Sequence, residues 1–323
     1  LRSRRASPRE AAPAITGVRS ASCAWSGGGP TPPDVPRRTL RLRVGGLVLA
    51  VESPRLTAAL DPPPEMEPFL ARRGADIRLS FTAAAPPAPE GEPLFDSGGV
   101  WRVHRHSGKL LYEFRAPRRR PPVYKAVVID EGLREGRLHF PAVEGGPEYA
   151  LDYPLDELLF QHRLAREGAV EVHACGVVWR DRALVLCGQS GAGKSTTAGL
   201  WRRHTRKTSI LSDDRIVLSP SGRDVRAWGT PWHGDGGFAS PESRPLAALF
   251  FLRHGRATRA TPLPRAEAAA RLLSRSFPPP WDPVAMARAL ETCAAVTATV
   301  PAFELAFRPD RTAIDVVRDA VAH

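Results

Sequence analysis

Apolar and polar positions follow two different rules along this chain, and the change falls near its middle. Residues 39–44 alternate, 47–51 are continuous and apolar, 101–105 alternate again, and 110–114 and 124–129 add two more strand-like runs. Pro- and Gly-rich turns separate them, with 86–89 read as a loop, so residues 39–150 are expected to form a small β-rich domain. Helical spacing begins after that. Leu155, Leu158, Leu159 and Leu164 fall on one side of a helix over 155–166, with Gly168 beyond its end. A short apolar strand at 183–187, a helix over 195–204 and a strand near 208–212 follow. Further on, 245–252 reads as a buried strand, 265–274 as a helix with Ala268, Leu272 and Leu273 inward, and 282–293 as another helix set apart by Pro278, Pro279 and Pro280. Residues 300–307 resemble a strand, and 313–321 a terminal helix with Ile314, Val317 and Val321 on one stripe. No internal repeat is visible.

Candidate chemistry lies where the strand at 183–187 meets the next helix. Gly188, Gly193, Lys194 and Ser195 stand at the four fixed positions of G-x-x-x-x-G-K-[ST]. In such a loop the glycines let backbone N–H groups of Gly188, Ser190, Gly191, Ala192 and Gly193 converge on one concavity. There they meet the positive end of the helix that Lys194, Ser195 and Thr196 open. That suits a polyphosphate such as ATP, with Lys194 on the β/γ oxygens and the Ser195 hydroxyl on Mg²⁺. The bland alternative, a glycine-rich turn with no ligand, fits the strand-to-helix context less well.

Asp213 and Asp214 come only nineteen positions after Lys194. A helix over 195–204 runs about 15 Å away from the phosphates, and a strand rising about 3.3 Å per residue returns almost as far. The acidic pair is therefore expected beside the nucleotide, one carboxylate holding Mg²⁺ directly or through water and the other accepting a proton from an attacking hydroxyl. Arg215 would brace a carboxylate or a phosphate. Residues 229–238 hold four glycines and a proline and read as a loop, in which His233 and Asp235 are candidate metal or substrate contacts or simply exposed polar groups of a tight turn.

With these residues in view, the chain resembles the HPr kinase/phosphorylase group, which shares a nucleotide-binding core with ATP-dependent phosphoenolpyruvate carboxykinase. The resemblance covers roughly residues 165–323 and rests on Val172-His173-Ala174, the stretch from Gly188 to Thr196, and Ser212-Asp213-Asp214-Arg215. It implies an α/β fold, with a P-loop core of the HPr kinase/phosphoenolpyruvate carboxykinase type behind a smaller β-rich N-terminal domain, and assembly into multimers. It further implies that Asp213 is the general base, that Ser195, Asp213 and Asp214 handle Mg²⁺, and that His173 sits near the transferred phosphate. The bifunctional enzyme's downstream glutamate-and-glycine signature is missing, and Trp228 to Phe238 stands in its place. In that segment the chain is more similar to a divergent branch associated with peptide modification, including kinases that phosphorylate a serine on lasso-peptide precursors.

Composition sets the outer limits. The 323 residues leave room for two domains, read as 39–150 and a kinase domain over 151–323. Cys23, Cys175, Cys187 and Cys293 form neither a C-x-x-C pair nor a regular framework, so zinc and disulfide scaffolds are not indicated and a reducing, cytoplasmic setting is expected. No stretch of eighteen apolar residues is present to span a membrane. Residues 1–38, rich in Arg, Pro, Ser and Gly and starting at Leu1, read as a disordered tail or an over-extended start. The formal charge of +12 is partly theirs, since residues 1–40 carry a net +5. The cluster Arg115, Arg118, Arg119 and Arg120 reads as a solvated loop first and an anion- or peptide-binding patch second. With no aromatic-interleaved basic platform, the charge does not point to nucleic acid. The expected function is an ATP- and Mg²⁺-dependent kinase acting on a serine or other hydroxyl of a peptide or protein. A nucleotide-binding scaffold without transfer activity and a small-molecule kinase are the alternatives.

Overall fold

The computed structural model describes residues 38–54, 57–115, 123–141, 148–206 and 208–322. Of the expected tail at 1–38, residues 1–37 lie outside them, Cys23 included, as do the arginines at 118–120, whereas Arg38 belongs to the first strand. Among the described residues eight strands precede the first α-helix: β1 (Arg38–Val44), β2 (Leu47–Ser53), β3 (Ile77–Thr82), β4 (Glu90–Asp96), β5 (Trp101–His106), β6 (Lys109–Arg115), β7 (Val123–Ile129) and β8 (Glu135–His139). They form one sheet in the order β1-β2-β3-β8-β7-β6-β5-β4. The β2, β3 and β8 neighbours run parallel, whereas β8 through β4 pair antiparallel.

The sequence pattern anticipates five of these strands and misses β3, β4 and β8. Proline inside β4 and its exposed positions suit an edge strand, and β8 is five residues long with a single buried side chain, so neither carries an apolar signature. Among the described residues this sheet and the second one each hold eight strands.

The remaining elements are α1 (Leu155–Arg166), β9 (Val170–Trp179), β10 (Arg182–Cys187), α2 (Lys194–His204), β11 (Ser209–Ser212), β12 (Arg215–Ser221), β13 (Asp224–Gly229), β14 (Ser243–His254), β15 (Arg259–Pro262), α3 (Arg265–Leu273), α4 (Pro283–Thr299), β16 (Ala302–Phe307) and α5 (Thr312–Ala320). Helix α4 continues past residue 293 because alanines and Val296 extend its apolar content until Pro301 ends helical propagation two residues beyond Thr299.

Two long strands organise the second sheet. The first half of β9 pairs with β12, placing Arg215 opposite His173, and its second half pairs with β10 and β11. Likewise β14 pairs with β13 at its start and runs parallel to β10 and β16 further on. These pairings close a ring, β9-β12-β13-β14-β10. His173 and Ala174 sit where β9 passes from one ladder to the other.

Helix α1 is buried on nearly every side. Its leucines and Phe160 join the apolar cluster under the first sheet, which also takes in Val217 and Trp232, each buried aliphatic side chain contributing roughly 1.5–3 kcal/mol. Its polar residues are buried as well, which a one-sided apolar stripe does not foretell. They have partners: His162 lies 2.5 Å from the Tyr112 hydroxyl of β6 and 2.7 Å from Asp282, and Arg166 donates to the same Asp282 carboxylate at 2.5 Å. Asp282 also caps α4 by accepting from the N–H groups of Val284 and Ala285. Helix α1, helix α4 and the first sheet thus meet at one carboxylate.

Asp282→Ala should therefore lower the free energy of unfolding by about 3 kcal/mol, since it removes the cap and leaves the buried His162 and the half-buried Arg166 without their acceptor. Asp282→Asn, which keeps an oxygen for the cap, should recover about 1 kcal/mol of that loss. Urea titrations followed by far-UV circular dichroism measure both, and equal stability of Asp282→Ala and the parent would refute the assignment.

Candidate functional site

The glycine loop follows β10 directly. Cys187 ends that strand as a small buried residue, and burial pushes its thiol up to about 12, so it is an apolar filler and not a nucleophile. Gly193 adopts φ +97° to turn the chain into α2, and a Cβ there would meet the Phe307 ring at 2.6 Å, so both conformation and space require glycine. The helix begins at Lys194 with no side-chain cap, leaving its first N–H groups directed at the cavity before it. That cavity, about 390 Å³, is lined by Ser190, Gly191, Gly193, Lys194, Ser195 and Thr196. His173, Asp214 and Asp235 face these loop residues from across it.

The Lys194 ammonium is folded onto its own loop, donating to the carbonyls of Gly188 (3.1 Å) and Gln189 (3.2 Å). Burial holds its pKa below the ordinary lysine value, with the Asp214 charge opposing. Gly188 and Ala192 contribute backbone to the loop rather than lining to the cavity: Gly188 N–H donates to His173 O (3.3 Å) and Ala192 N–H to Gln189 O (3.0 Å). One peptide unit later, Ala174 N–H donates to Asp214 O (3.0 Å). The crossover point of β9 therefore ties the start of the glycine loop and the bend between β11 and β12 to one place.

The two adjacent aspartates have different surroundings. Asp213 is fully buried, and its carboxylate accepts N–H bonds from Gly234 (3.0 Å), Gly236 (2.8 Å) and Phe238 (3.3 Å). A Cβ at Gly236 would lie 2.6 Å from that carboxylate, so the loop closes over it only because a glycine stands there. The expectation that Asp213 receives a substrate proton thus meets a carboxylate already surrounded by backbone donors and absent from the cavity lining. Asp214 takes the open position. Its Oδ1 is 2.8 Å from His173 Nε2, and its other oxygen accepts from Arg215. Burial alone would push its carboxyl up, but the His173 hydrogen bond and the charges of Arg215, His173 and Lys194 outweigh that and hold it below the usual aspartate value.

Arg215 does not reach the glycine-loop cavity. Its guanidinium donates to Glu157 (2.8 Å), lies 3.3 Å from Glu171 and 4.4 Å from the Phe277 ring centroid, and braces Asp214. Glu157 and Glu171 are absent from the sequence reading. A signal existed for Glu171: with His173 two positions on, it shares one face of β9, and a lone glutamate on an apolar strand calls for a buried partner. Burial, then the charge of and hydrogen bond with Glu157, push the Glu171 carboxyl well above its ordinary value despite Arg215. No comparable pattern marks Glu157.

Residues 230–238 wrap the site. Trp232 donates its indole N–H to Asp156 (2.9 Å), and Thr230 its hydroxyl to Arg215 O (2.7 Å). His233 is exposed and lines a neighbouring cavity of about 490 Å³ with Arg215, Trp232 and Tyr149. Asp214 borders both cavities. Among the described residues no three or more His, Cys, Asp or Glu side chains are grouped to hold a metal ion. The oxygen donors lining the glycine-loop cavity include the hydroxyls of Ser190, Ser195 and Thr196 and the carboxylates of Asp214 and Asp235, a set that suits Mg²⁺ shared with phosphate oxygens and water.

No family model matches the chain, and no curated protein matches it. A solved structure of the Hpr(Ser) kinase/phosphatase from Coxiella burnetii aligns with 46% of this chain and 95% of its own, at 14% identity and a TM-score of 0.28. A likeness of that size does not assign a family. No described helix is long and apolar enough to cross a membrane.

The buried carboxyls bordering this site give it a pH signature. Burial, with the Glu157 charge adding to it, raises Asp156 from 3.8 to about 7 against the Trp232 hydrogen bond. A raised carboxyl pKa means that the folded chain keeps a proton which the unfolded chain releases, so stability falls as pH rises from about 4 to about 7. Asp156→Asn should flatten that fall while keeping the contact to Trp232, leaving the part due to Glu171. Urea midpoints compared across that pH range test it, and an unchanged slope would refute it.

Proposed function

We propose that this chain is an ATP- and Mg²⁺-dependent kinase that transfers the γ-phosphoryl group to a hydroxyl of a peptide or protein, a serine being the simplest acceptor. The observation that carries the reading is the position of Asp214, which borders the glycine-loop cavity on one side and a second cavity on the other. A donor phosphate in the first and an acceptor in the second would meet at one carboxylate.

In this reading the loop N–H groups and the first turn of α2 bind the phosphates, and Lys194 exchanges its loop carbonyls for β/γ oxygens. Ser195 and Asp214 would hold Mg²⁺, which would supply charge neutralisation on those oxygens. Asp214, oriented by His173 and Arg215, accepts the hydrogen bond of the acceptor hydroxyl. As the new O–P bond forms and the bond to the bridging oxygen of ADP breaks, the hydroxyl proton passes to Asp214. Its lowered pKa suits a loose transfer, in which placement and charge neutralisation supply most of the rate and a strong base is not needed. Asp213, as a neighbour locked to the backbone, positions the loop that separates the cavities.

Lys194→Ala should abolish ATP binding. Asp214→Asn should keep binding within a few-fold and lose transfer by about a hundredfold or more, while Asp213→Asn should act through the 230–238 loop and raise its protease sensitivity. Calorimetric titration with ATP·Mg²⁺ and transfer of labelled phosphate to a peptide pool separate these outcomes. Unimpaired transfer by Asp214→Asn overturns its role, and ATP binding with no transfer by the parent chain favours a nucleotide-binding scaffold.

A further inference from the structure

The cavity on the acceptor side of Asp214 has a charge opposite to that of the chain. Around it stand the carboxylates of Glu65, Asp152, Glu157 and Asp214 against the single guanidinium of Arg215, in a protein of formal charge +12. Arg215 is already shared among Glu157, Glu171 and Asp214, and Asp152 is paired with Lys125. Glu65 is exposed at the rim with no ion pair among the described residues. A second observation is independent of the acidic groups. Tyr149 is 9% exposed and lines the cavity, yet its hydroxyl is buried without a hydrogen-bond partner, an arrangement that a native fold rarely leaves unless a ligand or water completes it. Tyr153, 64% exposed, and Trp232 supply aromatic walls beside the carboxylates.

Carboxylates in excess, aromatic faces and an unfilled hydroxyl together select a cation: the carboxylates attract it through a medium of lowered dielectric, and the rings stabilise it through their faces. We propose that this cavity binds the cationic side chain of a peptide acceptor, so that the hydroxyl presented to Asp214 belongs to a residue adjacent to Lys or Arg. The inference rests on the kinase reading for the word acceptor, whereas the cation selectivity of the cavity stands apart from it. A peptide fits a cavity whose lining includes the exposed residues Glu65 and Tyr153, because the backbone flanking the cationic residue needs a path to solvent. A neutral acceptor would gain nothing from Glu65, and an acidic one would meet repulsion from it.

The test uses the full chain and two peptides identical except for Lys or Gln beside the acceptor position, which carries Ala so that no transfer intervenes. Calorimetric titration should show the Lys peptide binding about tenfold more tightly at low salt, with the difference shrinking as salt is raised. Glu65→Lys, at an exposed position that does not threaten folding, should abolish the difference, and Glu65→Gln should reduce it. Equal affinities, no binding of either peptide, or a preference for the Gln peptide overturns the proposal. So does ethanolamine if it displaces the Lys peptide as effectively as free peptide does, because the occupant would then be a small amine. ATP titration of the same samples reports on the glycine loop separately. A Lys-peptide preference without ATP binding removes the kinase reading and leaves the cationic cavity, whereas ATP binding without the preference does the reverse.

Discussion

One guanidinium holds the candidate site together. Arg215 begins β12 directly after the acidic pair, and the antiparallel register with β9 sets it opposite His173 and diagonal to Glu171. From there it reaches Glu157 on α1 and Asp214 at the cavity wall, with Phe277 against its face. A helix, two strands and the segment before α4 converge on this group. Burial would lower the pKa of an unpaired arginine, but Glu157, Glu171 and Asp214 raise it above its ordinary value. Removing the cation would leave three carboxyls facing one another in a largely buried setting, a costly arrangement that neutralisation alone relieves. Burial first, and then the neighbouring Glu157, push the Glu171 carboxyl well above its ordinary value, and one shared guanidinium does not offset them.

The division between Asp213 and Asp214 is made in the two-residue bend that joins β11 to β12. There one carboxylate turns under the 230–238 loop and the other toward the glycine loop. Each has a solvation that suits its place. Asp213 has three backbone N–H donors and no open side, which fixes a glycine-rich segment that otherwise has little reason to adopt one shape. Asp214 keeps side-chain partners instead, His173 and Arg215. A sequence alone presents the pair as interchangeable, and only the direction of each side chain separates them.

Other parts of the site were more readable. The strand, glycine loop and helix from Arg182 to His204 stand within a residue or so of their expected positions, because apolar periodicity, glycine and the helix start all speak for the same elements. Helix α1 has the expected bounds, yet its buried polar side was not legible, since Asp156, Glu157 and His162 look like solvent-facing residues until the partners Trp232, Arg215 and Asp282 are brought up from elsewhere in the chain. Edge strands and short polar ones, β4 and β8, leave no periodic trace for a physical reason: they are held by ladder hydrogen bonds more than by side-chain burial. Long-range charge balance is invisible for a related reason, because each partner of Arg215 satisfies only a local pattern of its own.

The double membership of β9 has a consequence for how this chain can vary. Its first half sets His173 against Arg215 and its second half sets Ala174 against the last residue before the glycine loop. An inserted or deleted residue in that half-strand would exchange the two faces of everything after it, turning the imidazole from the cavity into the apolar interior and moving the loop's anchor at the same stroke. Length changes in related chains should therefore accumulate in the hairpin between β12 and β13, whose tip is exposed, and spare the strand through which both halves of the ring must pass.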